Sequence, residues 1–302
     1  MAIFNNSDIF GQTTPGNSMK WEFTEPEQNT FTFSDGEETI TLAKATDKKV
    51  RCHNLVWTAE LPTWVSGGSW TNETLSAVMQ THITKEIEAY GDGCYSWDVV
   101  NEALSGSGYT SNVFLDVIGE AYVPLAFQYA EAAVKNAGLS CKLVYNDFGI
   151  ESPGEKNAAA VAMIKKIQAQ GIQIDGVGFE SHFSTSYYPT TSDQMTAMKA
   201  FTDLGLYVQV TELDVACSSA SPDPSELAIQ AQAYYDTVSA CMQTENCTGM
   251  TVWDFDDQYS WIQPSTNDGE GAADLFTADL SPKPAVTAVS EAIEGESCSV
   301  CS

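Results

Sequence analysis

Cations are scarce in this chain. Lys and Arg number 13 against 41 Asp and Glu, with three His, so the formal net charge is −28 over 302 residues. Nucleic acids and anionic membrane surfaces are held mainly by clustered Lys and Arg, so this balance excludes both as partners and leaves a neutral, cationic or small ligand. Long apolar runs are lacking too, and without a stretch of about 18 such residues nothing spans a bilayer. There is no P-loop and no Gly-x-Ser-x-Gly, and Gly106-Ser107-Gly108 does not complete Gly-x-Gly-x-x-Gly. Phosphoryl transfer, a serine nucleophile and a dinucleotide crevice therefore lose their sequence support. His53, His82 and His182 form neither His-x-His nor His-Glu-x-x-His, so no metal and no cofactor is expected.

Cysteine, by contrast, is present in an even number: Cys52, Cys94, Cys141, Cys217, Cys241, Cys247, Cys298 and Cys301. In a chain poor in His that favours disulfides over metal sites. Three sequons, Asn5-Asn6-Ser7, Asn72-Glu73-Thr74 and Asn246-Cys247-Thr248, permit N-glycosylation. The first ten residues lack a signal pattern, so the chain reads as a secreted, extracellular glycoprotein in its mature form or with Met1 in place of the native start. Cys241 and Cys247 close a short loop, and Cys52 and Cys94 start neighbouring strands, so both pairs are plausible. For the other four, Cys298–Cys301 with Cys141–Cys217 is one arrangement; a tail tied back to the body is the other.

Short β-rich runs ending in polar residues recur along the chain: Arg51 to Thr58, Ser96 to Glu102, Leu143 to Asp147, Gly176 to His182, Tyr207 to Glu212 and Gly249 to Asp254. Helical stretches lie between them. The clearest is Asn72 to Tyr90, where Leu75, Val78, Met79, Ile83, Ile87 and Tyr90 keep a 3.6-residue period behind an Asn72 cap. Glu120 to Ala137, Glu155 to Gln170 and Ser225 to Met242 read similarly. Such alternation predicts an α/β fold with a parallel sheet buried on both faces. An open doubly wound sheet and a closed (β/α)8 barrel both fit, and polar residues at almost every strand end favour the barrel, whose catalytic groups cluster there. No linker interrupts the alternation, so residues 1–293 read as one catalytic domain, followed by a Cys-containing tail, 294–302.

Two carboxylates close apolar runs: Glu102 after Trp97-Asp98-Val99-Val100-Asn101, and Glu212 after Val208-Gln209-Val210-Thr211. Two facing acids meet the requirement of glycoside hydrolysis, in which one protonates the leaving oxygen and the other attacks the sugar or activates water. Trp57, Trp253 and Trp261 lie at or beyond strand ends, where flat apolar rings can stack on sugar faces. Taken singly, an acid at a strand end, a Trp or a lone His is as readily structural.

Taken in order, the motifs resemble glycoside hydrolase family 10, the secreted fungal β-1,4-xylanases. They are Thr14-Pro15-Gly16-Asn17-Ser18-Met19-Lys20-Trp21, Arg51-Cys52-His53-Asn54-Leu55-Val56-Trp57, Trp97 to Glu102, Tyr145-Asn146-Asp147, Ile174 to Gly178, Thr211-Glu212-Leu213-Asp214 and Thr251-Val252-Trp253. The resemblance implies a (β/α)8 TIM barrel and a retaining mechanism, with Glu102 as general acid/base, Glu212 as nucleophile and their carboxyl groups roughly 5–5.5 Å apart. It also implies that Asn101 bonds the sugar 2-hydroxyl, that Asn17, Lys20 and His53 hold hydroxyls on the glycone side, and that Trp57, Trp253 and Trp261 wall the scissile sugar. His182 is expected to contact Glu212. Internal bonds of xylan, a neutral polysaccharide, would be cleaved by a monomer.

Four positions depart from the family pattern: Gly16 and Glu180 replace its usual Glu and Gln, Glu60 its Gln, and Phe148 its Tyr. Loss of the Glu at position 16 removes a sugar hydrogen bond, so a weaker grip on unbranched xylan, or another β-glycoside such as a plant saponin, becomes an alternative substrate reading. A third reading is a catalytically silent carbohydrate-binding homologue. Glu180 adds a third carboxylate beside the pair, which suits an acidic working range. Residues 1–9 are too short to supply the family's first strand, so no first strand is recognisable.

Overall fold

The computed structural model describes residues 2–265 and 267–301, and they fall into two compact units. The first unit is Met1–Asp147 with Ala158–Gly176. It opens with helical turn α1 (Ala2–Asn5) and the two-residue strand β1 (Gln12–Thr13), followed by α2 (Trp21–Thr24), α3 (Ser34–Ala45), β2 (Lys49–Val56) and α4 (Thr63–Ser66). Then come α5 (Asn72–Tyr90), β3 (Ser96–Asn101), a hairpin of β4 (Leu104–Ser105) and β5 (Gly108–Tyr109), α6 (Val113–Ile118), α7 (Tyr122–Asn136) and β6 (Lys142–Asp147). The main strands run parallel in the order β1-β2-β3-β6. All of β3 and all but the first residue of β2 and β6 are buried, as strands covered on both faces must be. Residues 2–9 hold α1 and no strand, so β1 is the first strand among the described residues.

Helix α5 keeps its expected bounds, with Leu75, Met79, Ile83 and Ile87 fully buried along one face. Its cap is one residue earlier than the sequence suggests. Thr71, not Asn72, takes the extended N-cap geometry, and a reciprocal capping box with Thr74 satisfies two otherwise orphaned donors.

The second unit is Phe148–Asn157 with Val177–Ser302, the boundary falling inside α8 (Glu155–Ala169). It carries β7 (Gly176–Phe179), β8 (His182–Ser184), α9 (Thr191–Thr202), β9 (Tyr207–Ala216), α10 (Pro224–Gln243), β10 (Cys247–Val252) and α11 (Pro284–Glu294). Strand order is β7-β9-β10, and β8 pairs in parallel with the end of β9 through His182↔Asp214, Phe183↔Val215 and Ser184↔Ala216. The sequence reads Gly176 to His182 as one run, but Glu180 and Ser181 break it, Ser181 taking a left-handed φ of 61°. Strand β9 also runs four residues beyond Glu212, because β8 supplies it with a partner there. No helix among the described residues is long and apolar enough to cross a membrane.

Three disulfides form: Cys52–Cys94, Cys241–Cys247 and Cys298–Cys301. The Cys141–Cys217 option fails, as both are buried free thiols. One precedes its strand, β6, and the other follows its strand, β9.

Candidate active site

The residues singled out by sequence lie in both units, and each group is described within its own. In the first unit, β2 and β3 are registered so that His53 lies opposite Asp98. The Asp98 carboxylate takes the Arg51 guanidinium at 2.7 Å and the His53 Nδ1–H at 2.8 Å, all three side chains being buried. His53 Nε2 then accepts from the Asn54 amide at 3.2 Å. Both ring nitrogens are thus engaged by protein. Asp98 and Arg51 were missed in the sequence because each hides in an apolar run, where their shared register cannot be seen.

At the end of β3 the chain turns through Glu102 with a φ of 52°, a left-handed conformation that a residue with a Cβ holds only under tertiary constraint. The Glu102 N–H donates to the Asn146 carbonyl at 2.9 Å. Asn146 donates its side-chain amide to Asn101 Oδ1 at 2.8 Å, and Asn101 donates in turn to Glu102 Oε1 at 3.1 Å. Asn101 therefore orients Glu102, and Asn146 at the end of β6 orients Asn101. Nearby in sequence, the buried Lys20 ammonium is held by Asn17 Oδ1 at 2.8 Å and stands 4.9 Å from the centre of the Trp57 ring. Asn17, Lys20 and Trp57 are thus one constellation, and the Trp57 indole N–H is buried without a hydrogen-bond partner among the described residues. An unpartnered buried donor is costly unless a ligand or water takes it.

In the second unit, Glu212 and Asp214 share one face of β9, because strand side chains alternate, while Glu180 and His182 flank the left-handed turn at Ser181 between β7 and β8. His182 stands among them. Its Nδ1 meets Asp214 Oδ2 at 2.9 Å, and its Nε2 meets Glu212 Oε2 at 3.3 Å and Glu180 Oε2 at 3.8 Å. Burial alone would lower the His182 pKa, but the charge and hydrogen bond of Asp214, then those of Glu212, outweigh it and hold it well above the ordinary value. A protonated imidazole is therefore the counter-ion of three carboxylates. Asp214 Oδ2 also accepts from the Trp261 indole at 2.8 Å, and the Trp261 ring meets His182 edge-on at 5.1 Å. Trp261 is otherwise half exposed, and Trp253 donates its backbone N–H to Leu213.

Candidate ligand atoms of Glu180, His182 and Glu212 all lie within 4.8 Å of one another. An imidazolium has no lone pair to offer, so as protonated here the trio is a charge cluster and a poor metal site. Asp214 is the residue that sequence reasoning undervalued, although its spacing of two from Glu212 carried the signal.

Of the four departures, Gly16 is exposed and a Cβ added there meets nothing within 4 Å. Glu60 turns with a φ of 47° and accepts the Glu22 N–H on its carbonyl. The Phe148 ring carries the Lys156 ammonium 3.7 Å from its centre.

Parallel strand–helix repeats with acids and indoles at the strand ends define a glycoside hydrolase of the (β/α)8 class. The family model for Glycosyl hydrolase family 10 matches residues 3–292. Endo-1,4-beta-xylanase D of Talaromyces funiculosus is 47% identical over 278 residues, 91% of this chain and 67% of that protein. Among solved structures, Penicillium canescens endo-1,4-beta-xylanase XylE is 46% identical with a TM-score of 0.94, covering 96% of this chain and 88% of that one. The xylanase of Bispora sp. MEY-1, solved with xylobiose, is 50% identical with a TM-score of 0.91, covering 96% and 89%. This chain belongs to glycosyl hydrolase family 10.

Proposed function

We infer that the protein is a secreted endo-β-1,4-xylanase that hydrolyses internal bonds of xylan with retention, acting as a monomer on a neutral polysaccharide through one catalytic domain, residues 1–293, with residues 294–302 as a tail. The observation that carries this reading is His182 set between Glu212, Asp214 and Glu180, a positive charge that favours the carboxylate form a nucleophile must have. Glu212 attacks the anomeric carbon while Glu102, oriented by Asn101, protonates the leaving oxygen. Water then displaces Glu212 with Glu102 as base. The Asn17–Lys20–Trp57 constellation and Trp261 serve as sugar-binding surfaces, Lys20 donating to hydroxyls and the indoles stacking. His53, with both ring nitrogens occupied by Asp98 and Asn54, contributes mainly by fixing that wall. Relatives named as xylanases, one solved with xylobiose, favour xylan over a saponin or a silent binding role.

Incubation with arabinoxylan is expected to release short xylo-oligosaccharides, and Glu212→Gln to lose activity by about 1000-fold or more. A fluorinated xyloside should label Glu212, as seen by peptide mass spectrometry. No oligosaccharide release across the acidic range, or labelling of another residue, overturns the assignment.

A further inference from the structure

We propose that Asn246 carries an N-linked oligosaccharide whose first N-acetylglucosamine units lie in a groove along α9. Of the three sequons, Asn246 is the acceptor that lines this groove, a depression of about 680 Å³, within the range of cavities that take small ligands. One wall is a single face of α9. Ser192, Met195, Thr196, Lys199 and Thr202 recur at helical spacing and leave hydroxyls, a thioether and the Lys199 stem uncovered. The other wall is the end of α10 and the turn into β10, with Gln243, Thr244, Glu245 and Asn246 itself, and Asp203 at the end of α9 is ion-paired with Lys199. A methionine for the sugar's C–H face, with amide and carboxylate oxygens to accept from its hydroxyls and acetamide N–H, suits a neutral sugar better than an anion or an apolar peptide.

The local backbone presents the acceptor. Asn246 is exposed and turns with a φ of 67°, which Asn tolerates better than most residues. Its carbonyl is tied by the Val208 N–H at 3.0 Å, and the Cys241–Cys247 disulfide closes the same turn. The side chain therefore leaves a rigid base at the rim of the groove. Asn72 sits differently: it is the first residue of α5, not part of a turn closed by a disulfide.

In the modification, the Asn246 amide nitrogen bonds the anomeric carbon of a lipid-diphosphate-linked oligosaccharide. The bond from that carbon to the diphosphate oxygen breaks, the diphosphate leaves with the electron pair, and the amide gives up one proton. The proposal rests on the secretory route inferred above. Production behind a supplied leader in a secreting yeast removes that dependence, so failure of natural secretion and failure of the site stay distinguishable.

Glycopeptide mass spectrometry of the secreted protein is expected to find the oligosaccharide on Asn246, with Thr248→Ala losing one glycan's mass. Native endoglycosidase H should trim it about tenfold more slowly than in the denatured chain, each tenfold corresponding to about 1.4 kcal/mol of protection. Thr196→Trp, on the exposed face of α9, fills the groove and should restore fast trimming. Unmodified Asn246 in the secreted protein overturns the site. Equal trimming rates in the native protein and in Thr196→Trp overturn the seat.

Discussion

The role proposed for Glu212 needs an ionised carboxylate in a buried place, and Glu212 is 5% exposed. His182 beside it, its pKa held well above the ordinary value, supplies a positive charge there. Glu180, a departure from the family pattern, faces the same histidine at 3.8 Å. That Glu102 and Glu212 are placed by β3 and β9 was readable from the apolar runs that precede them; that Asp214 and Asp98 hold the histidines was not, because it depends on register and alternation. Gly16 sits at a different kind of site. Its surroundings are open, and no left-handed φ constrains it, so Gly16→Glu meets no steric cost and should regain the sugar hydrogen bond its absence removes. One such bond is worth about 0.5–1.5 kcal/mol, so KM on linear xylo-oligosaccharides should fall roughly two- to tenfold with kcat little changed. Unchanged KM in steady-state assays refutes a glycone-side role for this position.

Elements in this fold are positioned by covalent ties as well as by burial. The span of helix α5 was legible, though not its cap, because its apolar face keeps one period for 19 residues, whereas β1, two residues long, has no periodicity to read and shows itself only by pairing with β2. The break between β7 and β8 was equally hidden, since Gly176 to His182 reads as one apolar run until Ser181 takes its left-handed turn. The disulfides differ in what they restrain. Cys52–Cys94 spans 42 residues and ties β2 to the start of β3, while Cys298–Cys301 spans three in the tail. On the chain-entropy model the first should contribute about 4 kcal/mol and the second less than half of that. Paired Cys→Ala variants compared by denaturant unfolding should therefore lose far more stability at Cys52/Cys94; equal losses would mean that strain or residual unfolded structure dominates.

For the molecule as a whole, the −28 charge and a set of buried acids act in the same direction with pH. Asp274 is 1% exposed and neither of its oxygens has a hydrogen-bond partner among the described residues. Burial first, then the charges of Asp214, Asp254 and Asp257, push its pKa up to about 8, against the pull of Lys283, and Asp254 is pushed up to about 6 by burial and neighbouring acids. A carboxyl with a raised folded-state pKa binds its proton more tightly native than unfolded, so its penalty is absent below the unfolded value near 4 and grows as pH rises to the folded value. His182 acts in the same sense, its stabilisation full below the ordinary histidine value and lost as pH rises from there through its raised folded value. Glu226, Asp223, Asp279 and Glu291, held down mostly by local hydrogen bonds, oppose this only at low pH and at the surface. Stability should therefore rise as pH falls from about 8 towards 4.5, by up to about 1.4 kcal/mol per pH step for a single such site. Salt separates the two sources. Raising ionic strength from about 0.01 to 0.1 M shortens screening from about 30 to 10 Å, which should relieve surface self-repulsion near neutral pH but leave the buried Asp274 contribution in place. Asp274→Asn removes that contribution whatever the salt, so at high salt its Tm should depend less steeply on pH between 4.5 and 8 than the wild type's. Parallel Tm–pH curves for the two proteins would show that Asp274 is not the buried acid responsible.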